Sequence, residues 1–303
     1  MSLRISDLGP RPAARPALSV VLSTYNQPEW LRKALLGYAR QDFREFEVVI
    51  ADDGSGDATR SMIEALAVDY PLPLRHVWHP DNGFQKCEIL NRASEAARAE
   101  YLVFSDGDCI PRADFLSVHH ALRERGRFLS GGYVKLPLAT SQAIDEAAIE
   151  AGDFAKPAWL RAHGCAAGDI SRKLTVQGQW AWFWDQLSTA KASWNGHNAS
   201  GWKADLLRVN GFDTRMQYGG QDREFGERLE NAGIRGKRIR HRAICVHLDH
   251  PRGYATEESI QRNRAIRAET RRLRSTWAVN GLVPPAPPGS ARQDSAAPLR
   301  RAA

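Results

Sequence analysis

Short apolar runs alternate with helix-spaced stretches through the first third of the chain. Leu18-Ser19-Val20-Val21-Leu22-Ser23-Thr24-Tyr25 is rich in β-branched residues and predicts a strand. Asn26-Gln27 breaks it, and Pro28 is placed to open a helix over 29–41. A second strand, Glu47 to Ala51, runs into Asp52-Asp53-Gly54-Ser55, and a helix follows to about Val68. A third strand spans Leu74 to Trp78, and the Asn82-Gly83 turn leads into a helix over 84–98. The fourth, from Tyr101, ends in Asp106-Gly107-Asp108. Runs this short and apolar suit strands buried on both faces of a parallel sheet. Strand–helix alternation with short links implies right-handed βαβ units, hence an α/β fold with a mostly parallel central sheet flanked by helices.

The second half is less regular. Phe128 to Lys135 reads as a strand, and 141–162 and Lys203 to Val209 as helices. A helix over 221–232 follows Gly219-Gly220, and a strand runs from Gly233 to about Val246. Gln179-Trp180-Ala181-Trp182-Phe183-Trp184, with Trp194 nearby, suits core or partner contact better than sugar stacking. A last helix, 255–278, carries Ile266, Leu273 and Trp277 on one face among many arginines, which fits docking on the body or on an anionic membrane. The expected organisation is a flexible arm at 1–16, one domain at 17–278 and a disordered Pro/Ala/Arg-rich tail at 279–303. Within the domain, 17–135 and 136–254 form two halves and 255–278 the basic helix.

In open α/β sheets, ligands gather at the carboxyl ends of the parallel strands. Asp106 and Asp108 stand there, split by Gly107, which lets the backbone turn. Two hard oxygen donors suit Mg²⁺ or Mn²⁺; the same pattern also serves as a helix-capping turn. Asp52 and Asp53 are likewise open to a turn reading. The loop Ser23-Thr24-Tyr25-Asn26-Gln27-Pro28-Glu29 is not Gly-rich, so neither a dinucleotide fingerprint nor a P-loop is present. Asp222, after two glycines and at a helix start, fits either a dipole-stabilised cap or a base. His247 and His250, three apart with Asp249 between them, fit metal ligands or an unremarkable surface pair.

Charge narrows the partners. The net +7 sits at the ends: residues 255–303 hold nine Arg and four acids, and residues 1–16 three Arg and one Asp. The body is neutral, which argues against a basic nucleic-acid groove. Cys87, Cys109, Cys165 and Cys245 lie far apart, as reduced thiols of a cytoplasmic protein would. No stretch approaches the roughly 20 apolar residues of a membrane span.

Taken in order, Ser23-Thr24-Tyr25-Asn26, Asp52-Asp53-Gly54-Ser55, Asp106-Gly107-Asp108 and Gly219-Gly220-Gln221-Asp222 resemble the motifs of the inverting family 2 glycosyltransferases, which have the GT-A fold. Gly196 to about Arg252 is similar to the half shared with β-1,4-galactosyltransferases and chondroitin-type polymerases. The resemblance implies a nucleotide-diphosphate sugar donor, UDP foremost, a saccharide or lipid-linked acceptor, and Mn²⁺ or Mg²⁺. It implies donor contacts from Thr24, Tyr25, Asn26, Glu29, Asp52, Asp53, Lys86, Asp106 and Gly107. Acceptor contacts fall on Asn198, Trp202, Gly220, Gln221 and Glu224. Metal ligation falls on Asp108 and Asp106 with His250 or His247, and base catalysis on Asp222. The family commonly has Glu where Gln221 stands and Trp where Tyr218 stands, so a charged acceptor contact becomes neutral. A sugar-1-phosphate nucleotidyltransferase remains the alternative class, although the Gly-rich loop expected of it is absent.

Overall fold

In the computed structural model, residues 2–11, 15–166, 172–251 and 256–283 are described below. Their strands are β1 (Arg4–Leu8), β2 (Leu18–Thr24), β3 (Phe46–Asp52), β4 (Leu74–Trp78), β5 (Tyr101–Asp106), β6 (Cys109–Pro111), β7 (Arg127–Lys135), β8 (Ala199–Trp202) and β9 (Arg235–His247). They form one sheet in the order β1-β4-β3-β2-β5-β8-β7-β9-β6. The run β4-β3-β2-β5 is parallel, as expected; β1, β8 and β6 pair antiparallel with their neighbours.

Helices α1 (Pro28–Ala39), α2 (Asp57–Asp69), α3 (Lys86–Ala96) and α4 (Phe115–Leu122) accompany the first strands. The second half carries α5 (Leu138–Ala143), α6 (Glu146–Glu150), α7 (Pro157–Ala162), α8 (Gly178–Leu187), α9 (Lys203–Arg208), α10 (Gln221–Asn231) and α11 (Glu257–Leu273). Strand periodicity divides the core. Val20, Leu22, Val48 and Ile50 face Leu31, Leu35 and Ile63 of α1 and α2. Val21, Val49 and Phe104 face Ile89 of α3 and Phe225 and Leu229 of α10.

Three expectations change. Residues 4–8 are not a loose arm but a strand on β4, locked by Asp7, which accepts from Arg75 and Arg98. The stretch expected as one helix over 141–162 is three short helices, α5 to α7, with a 3-10 turn at 153–155. The folded body continues past 278. Asn210, in the left-handed region at φ 62°, donates to the carbonyls of Ala278 and Val283, and Leu282 packs on the core beside it. The expected tail from 284 onward lies outside the described residues.

Two glycines mark where β7 meets β9. The register shifts between Gly131 and Gly132, and a Cβ on Gly132 would lie 2.0 Å from the Arg240 carbonyl oxygen. Asn198 is wholly buried there, and its Nδ2 donates to Gly132 O (2.7 Å) and Ala243 O (3.0 Å). That leaves Asn198 Oδ1 to accept from His119 Nε2 at 3.0 Å. His119 Nδ1 therefore accepts from Ser200, and Ser200 in turn accepts from Tyr101. The chain of bonds needs a neutral imidazole, and burial pushes His119 down to about 4.

As pH falls, the unfolded chain protonates at His119 first, from its ordinary value near 6.5. The stability this ring contributes is complete above about 6.5 and lost as pH falls toward 4, by about 3 kcal/mol. Melting temperatures stepped through that window should fall in the native protein and fall less steeply in His119→Gln. Identical slopes would contradict the neutral-ring account.

Candidate active site

The carboxyl ends of β2, β3 and β5 open into a cleft of about 960 Å³, whose far wall is the turn before α10 and one side of α11. Ser23, at the end of β2, pairs in register with Asp106 of β5 and donates to its Oδ1 at 2.7 Å. Lys86, from the first turn of α3, donates to the same oxygen at 2.7 Å. Burial alone would raise Asp106; the Lys86 ammonium and the Ser23 hydroxyl outweigh it and hold the carboxylate well below the usual range. Gly107 is required by space rather than by backbone angle, since a Cβ there would sit 3.0 Å from Ser23 O and 3.3 Å from Leu31 Cδ1.

β6 then pairs with the end of β9, setting Cys109 opposite His247, while Leu248 N donates to Asp108 O. This brings the β5–β6 turn against both histidines. Asp108 Oδ2 lies 2.8 Å from His250 Nε2 and 3.5 Å from His247 Nε2. Burial pushes Asp108 up, but His250 and His247 overcome it and the net shift is downward. Asp108, Cys109 and His247 also offer ligand atoms within 4.8 Å of one another. The Cys109 thiol is pushed well up by burial and by Cys245, stays protonated and points at Asp108 Oδ1.

At the ends of β2 and β3, Thr24, Tyr25, Asn26 and Asp53 line the cleft. Asn26, left-handed at φ 47°, accepts from Gly56 N and so ties the β2–α1 loop to the β3–α2 loop. Tyr25 donates to Asp81. Asp53 accepts from His79 Nε2 (2.8 Å) and Gln85 N (3.0 Å), yet burial keeps its carboxyl raised.

Across the cleft, Gly219 (φ 106°) and Gly220 (φ 91°) make the left-handed turn that starts α10 and presents Asp222. Asp222 Oδ2 accepts from Gly196 N at 3.2 Å, and its Oδ1 from Arg223 N. Gln221 folds back, its side-chain oxygen accepting from Gly219 N. Asn263 of α11 holds the same turn by donating to the carbonyls of Gln217, Tyr218 and Gly219.

Five expected contacts lie off the cleft. Asp52 is buried, accepting from Ser55 N and His76, because adjacent residues at a strand end face opposite sides. Glu29 is solvent-exposed and pairs with Lys33 on its own helix. Asn198 is the buried strand junction described above. Trp202 packs edge-on against Tyr101 and donates to Glu124 O. Glu224 is buried against Arg228 (2.8 and 2.9 Å) and also accepts from Thr270 of α11.

Of the two expectations for α11, docking on the body through Ile266, Leu273 and Trp277 is not what the inward face shows. It is Ser259, Asn263 and Thr270 that are buried, with Ile266 half-buried, whereas Leu273 and Trp277 are exposed. Arg264 and Arg267 of this helix line the cleft, and Arg267 pairs with Glu227. His79, His197, Tyr133 and Asn263 carried no sequence signal. His197 is held neutral by burial against the pull of Asp106 and Asp222, and its ring meets Tyr133 edge-on at 4.2 Å.

These loops match known proteins in the same order. A sequence profile of Glycosyl transferase family 2 matches residues 19–129, which hold the loops at the ends of β2, β3 and β5, and one of the N-terminal domain of galactosyltransferase matches 191–251. Over residues 19–129 the chain belongs to glycosyltransferase family 2. An uncharacterised glycosyltransferase of Bacillus subtilis, YfnE, is 26% identical over 88% of this chain and 74% of its own length. The validoxylamine A glucosyltransferase of Streptomyces hygroscopicus subsp. jinggangensis is 30% identical over 72% of this chain, which spans about half (52%) of that relative. Among solved structures, a mannosyltransferase from Pyrobaculum calidifontis in complex with GDP-Man and Mn²⁺ superposes with TM-score 0.53 at 24% identity, covering 82% of this chain and 61% of that one. The likeness establishes the GT-A fold.

In this chain Glu224 joins α10 to Arg228 rather than meeting a ligand. Glu224→Ala strands a buried guanidinium and should lower stability by about 3–5 kcal/mol in chemical denaturation. A loss below about 1 kcal/mol would mean the pair is not buried as described.

Proposed function

We propose that the chain transfers a hexose-type sugar from a nucleoside diphosphate donor to a hydroxyl of a saccharide or lipid-linked acceptor, with inversion and with a divalent metal ion. The observation that carries this reading is the placement of Asp108, with two imidazoles beside it, and Asp222 on opposite sides of one cleft. Uridine is the first base to test. We infer that the enzyme works in the cytoplasm, where nucleotide sugars and reduced thiols occur together; Cys87, Cys109 and Cys245 are buried thiols.

The residues fit a metal. His250 Nδ1 lies 2.8 Å from Pro251 O and its Nε2 2.8 Å from Asp108 Oδ2. Without a metal, Nε2–H can donate to Asp108; were a cation bound, Nδ1–H on Pro251 O would leave the Nε2 lone pair to face it. His247 Nδ1 is buried without a hydrogen-bond partner among the described residues. One carboxylate and two imidazoles favour Mn²⁺ over Mg²⁺, which prefers oxygen. Such an ion, when bound, would neutralise charge on the departing diphosphate.

The chain's own groups do the remainder. Thr24, Tyr25, Asn26 and Asp53 receive the base and ribose, and Asp106, held by Lys86 and Ser23, takes a ribose hydroxyl. Asp222 accepts the proton of the acceptor hydroxyl as that oxygen bonds to the anomeric carbon. The bond from that carbon to the phosphate oxygen breaks on the opposite face, and the diphosphate leaves with the electron pair. A base facing the leaving group across one carbon produces inversion. Gly220 and Gln221 flank the acceptor at this end, with Arg264 and Arg267 at its rim.

Asp222→Asn preserves the bond from Gly196 N but cannot take a proton, so transfer should fall on the order of 10²–10⁴-fold with donor affinity unchanged. Calorimetry with UDP should show Mn²⁺-dependent binding in this variant and none in Asp108→Ala. Near-normal turnover by Asp222→Asn would overturn the base assignment. Metal-independent nucleotide binding would overturn the metal assignment.

A further inference from the structure

The aromatic residues of α8 are not in the core. Trp180 is 69% exposed, Trp182 53%, Phe183 41% and Leu187 57%, while the helix is anchored through buried Ala181 and Asp185. At 3.6 residues per turn, Trp180, Phe183 and Leu187 fall on one side, away from those anchors. Singly exposed apolar residues are ordinary, but a helical stripe of large ones marks an interaction surface.

The charges around the stripe say what covers it. Asp185 is the only acid between residues 172 and 191, and it is buried, accepting from His241 and Arg242. The other charged residues there, Arg172, Lys173 and Lys191, are cations. Arg172 lies 4.2 Å over the Trp184 ring. From β9, Arg238 and Arg240 donate to the carbonyls of Ala190 and Lys191, which places two more guanidinium groups at the carboxyl end of α8. A Trp/Phe/Leu stripe rimmed by cations matches a bilayer boundary, with aromatic rings at headgroup level and lysine and arginine on anionic phosphates. A saccharide platform would need neutral and acidic hydrogen-bonding groups beside the rings, and the exposed charges here are basic. The surface also lies close to the cleft: Lys173 donates to Tyr133 O, and Tyr133 lines the cleft.

We propose that α8 is an interfacial membrane-docking helix, its Trp180, Phe183 and Leu187 side entering an anionic bilayer while Arg172, Lys173, Arg238 and Arg240 meet the lipid phosphates. Docked in this way, the enzyme holds its cleft at the membrane surface, within reach of an acceptor carried on lipid. The docking surface itself does not depend on the catalytic reading.

Co-sedimentation of the full chain with vesicles tests it, using phosphatidylcholine alone and an equal mixture with phosphatidylglycerol. The chain should pellet with the mixed vesicles at low salt, with a blue shift of tryptophan emission, and stay largely in solution with phosphatidylcholine. The triple variant Trp180→Ser, Phe183→Ser, Leu187→Ser should lose at least about tenfold in partitioning. Its melting temperature should change little, since Trp180 and Leu187 are mostly exposed and Phe183 is partly so. Arg262→Ser with Arg272→Ser, on exposed positions of α11, should bind as the native chain does. Undiminished binding by the triple variant would overturn the proposal. Absence of binding to either vesicle would do the same, as would emission changes elicited by maltohexaose but not by lipid.

Discussion

The buried amide of Asn198 is the point on which the rest of the site depends. Its two N–H groups hold β7 to β9 where the ladder slips, and its oxygen takes the imidazole of α4. Without that junction, the carbonyls of Gly132 on β7 and Ala243 on β9 would be left unpaired inside the core, at a cost of about 1–3 kcal/mol for each. The same junction aims the last residues of β9 at the β5–β6 turn, so that His247 stands across from Cys109 and beside Asp108. Immediately before it, Gly196 N donates to Asp222, and the His197 ring feels both Asp106 and Asp222. One structural residue thereby sets the distance between the two halves of the chemistry.

The carboxylates at the ends of β3 and β5 are held in different ways. Asp106 is compensated by a lysine and a serine before any ligand arrives. Asp53 is bound by one histidine and one backbone N–H and remains raised. Asp108 faces the two imidazoles on Oδ2 and the Cys109 thiol on Oδ1, groups that themselves suit a metal. On the other wall, the turn that presents Asp222 is fixed from outside by Asn263 of α11, so a helix with a polar inner face works as a brace. Gln221 satisfies a backbone N–H of its own turn, so the neutral residue at this position has a structural use.

The strand–helix alternation through Asp108 was legible because buried parallel strands leave continuous apolar runs. The cleft carboxylates were legible because they follow those runs directly. Choosing between Asp52 and Asp53 needed the period of a strand, which lets only one of two neighbours face the cleft. The family resemblance implies ligand contacts at Asn198, Trp202 and Glu224, because a motif match carries residue types and not the packing around them. Their actual partners, Gly132 and Ala243, Tyr101, and Arg228, are mostly remote in sequence and carry no local signal. β1 was missed because only alternate residues of a short edge strand are sheltered. The inner face of α11 carries no apolar signal because Ser259, Asn263 and Thr270 bury polar groups that are satisfied by the helix's own Thr256, the α10 turn and Glu224.

The central claim is that one carboxylate and two imidazoles form a metal centre across the cleft from Asp222. A crystal grown with Mn²⁺ and UDP, examined by anomalous scattering, tests it most directly. The account predicts a single strong peak about 2.0–2.3 Å from Asp108 and from Nε2 of His250 or His247, in contact with the diphosphate. Diphosphate bound with no peak at Asp108, or a peak held elsewhere in the cleft, would contradict it.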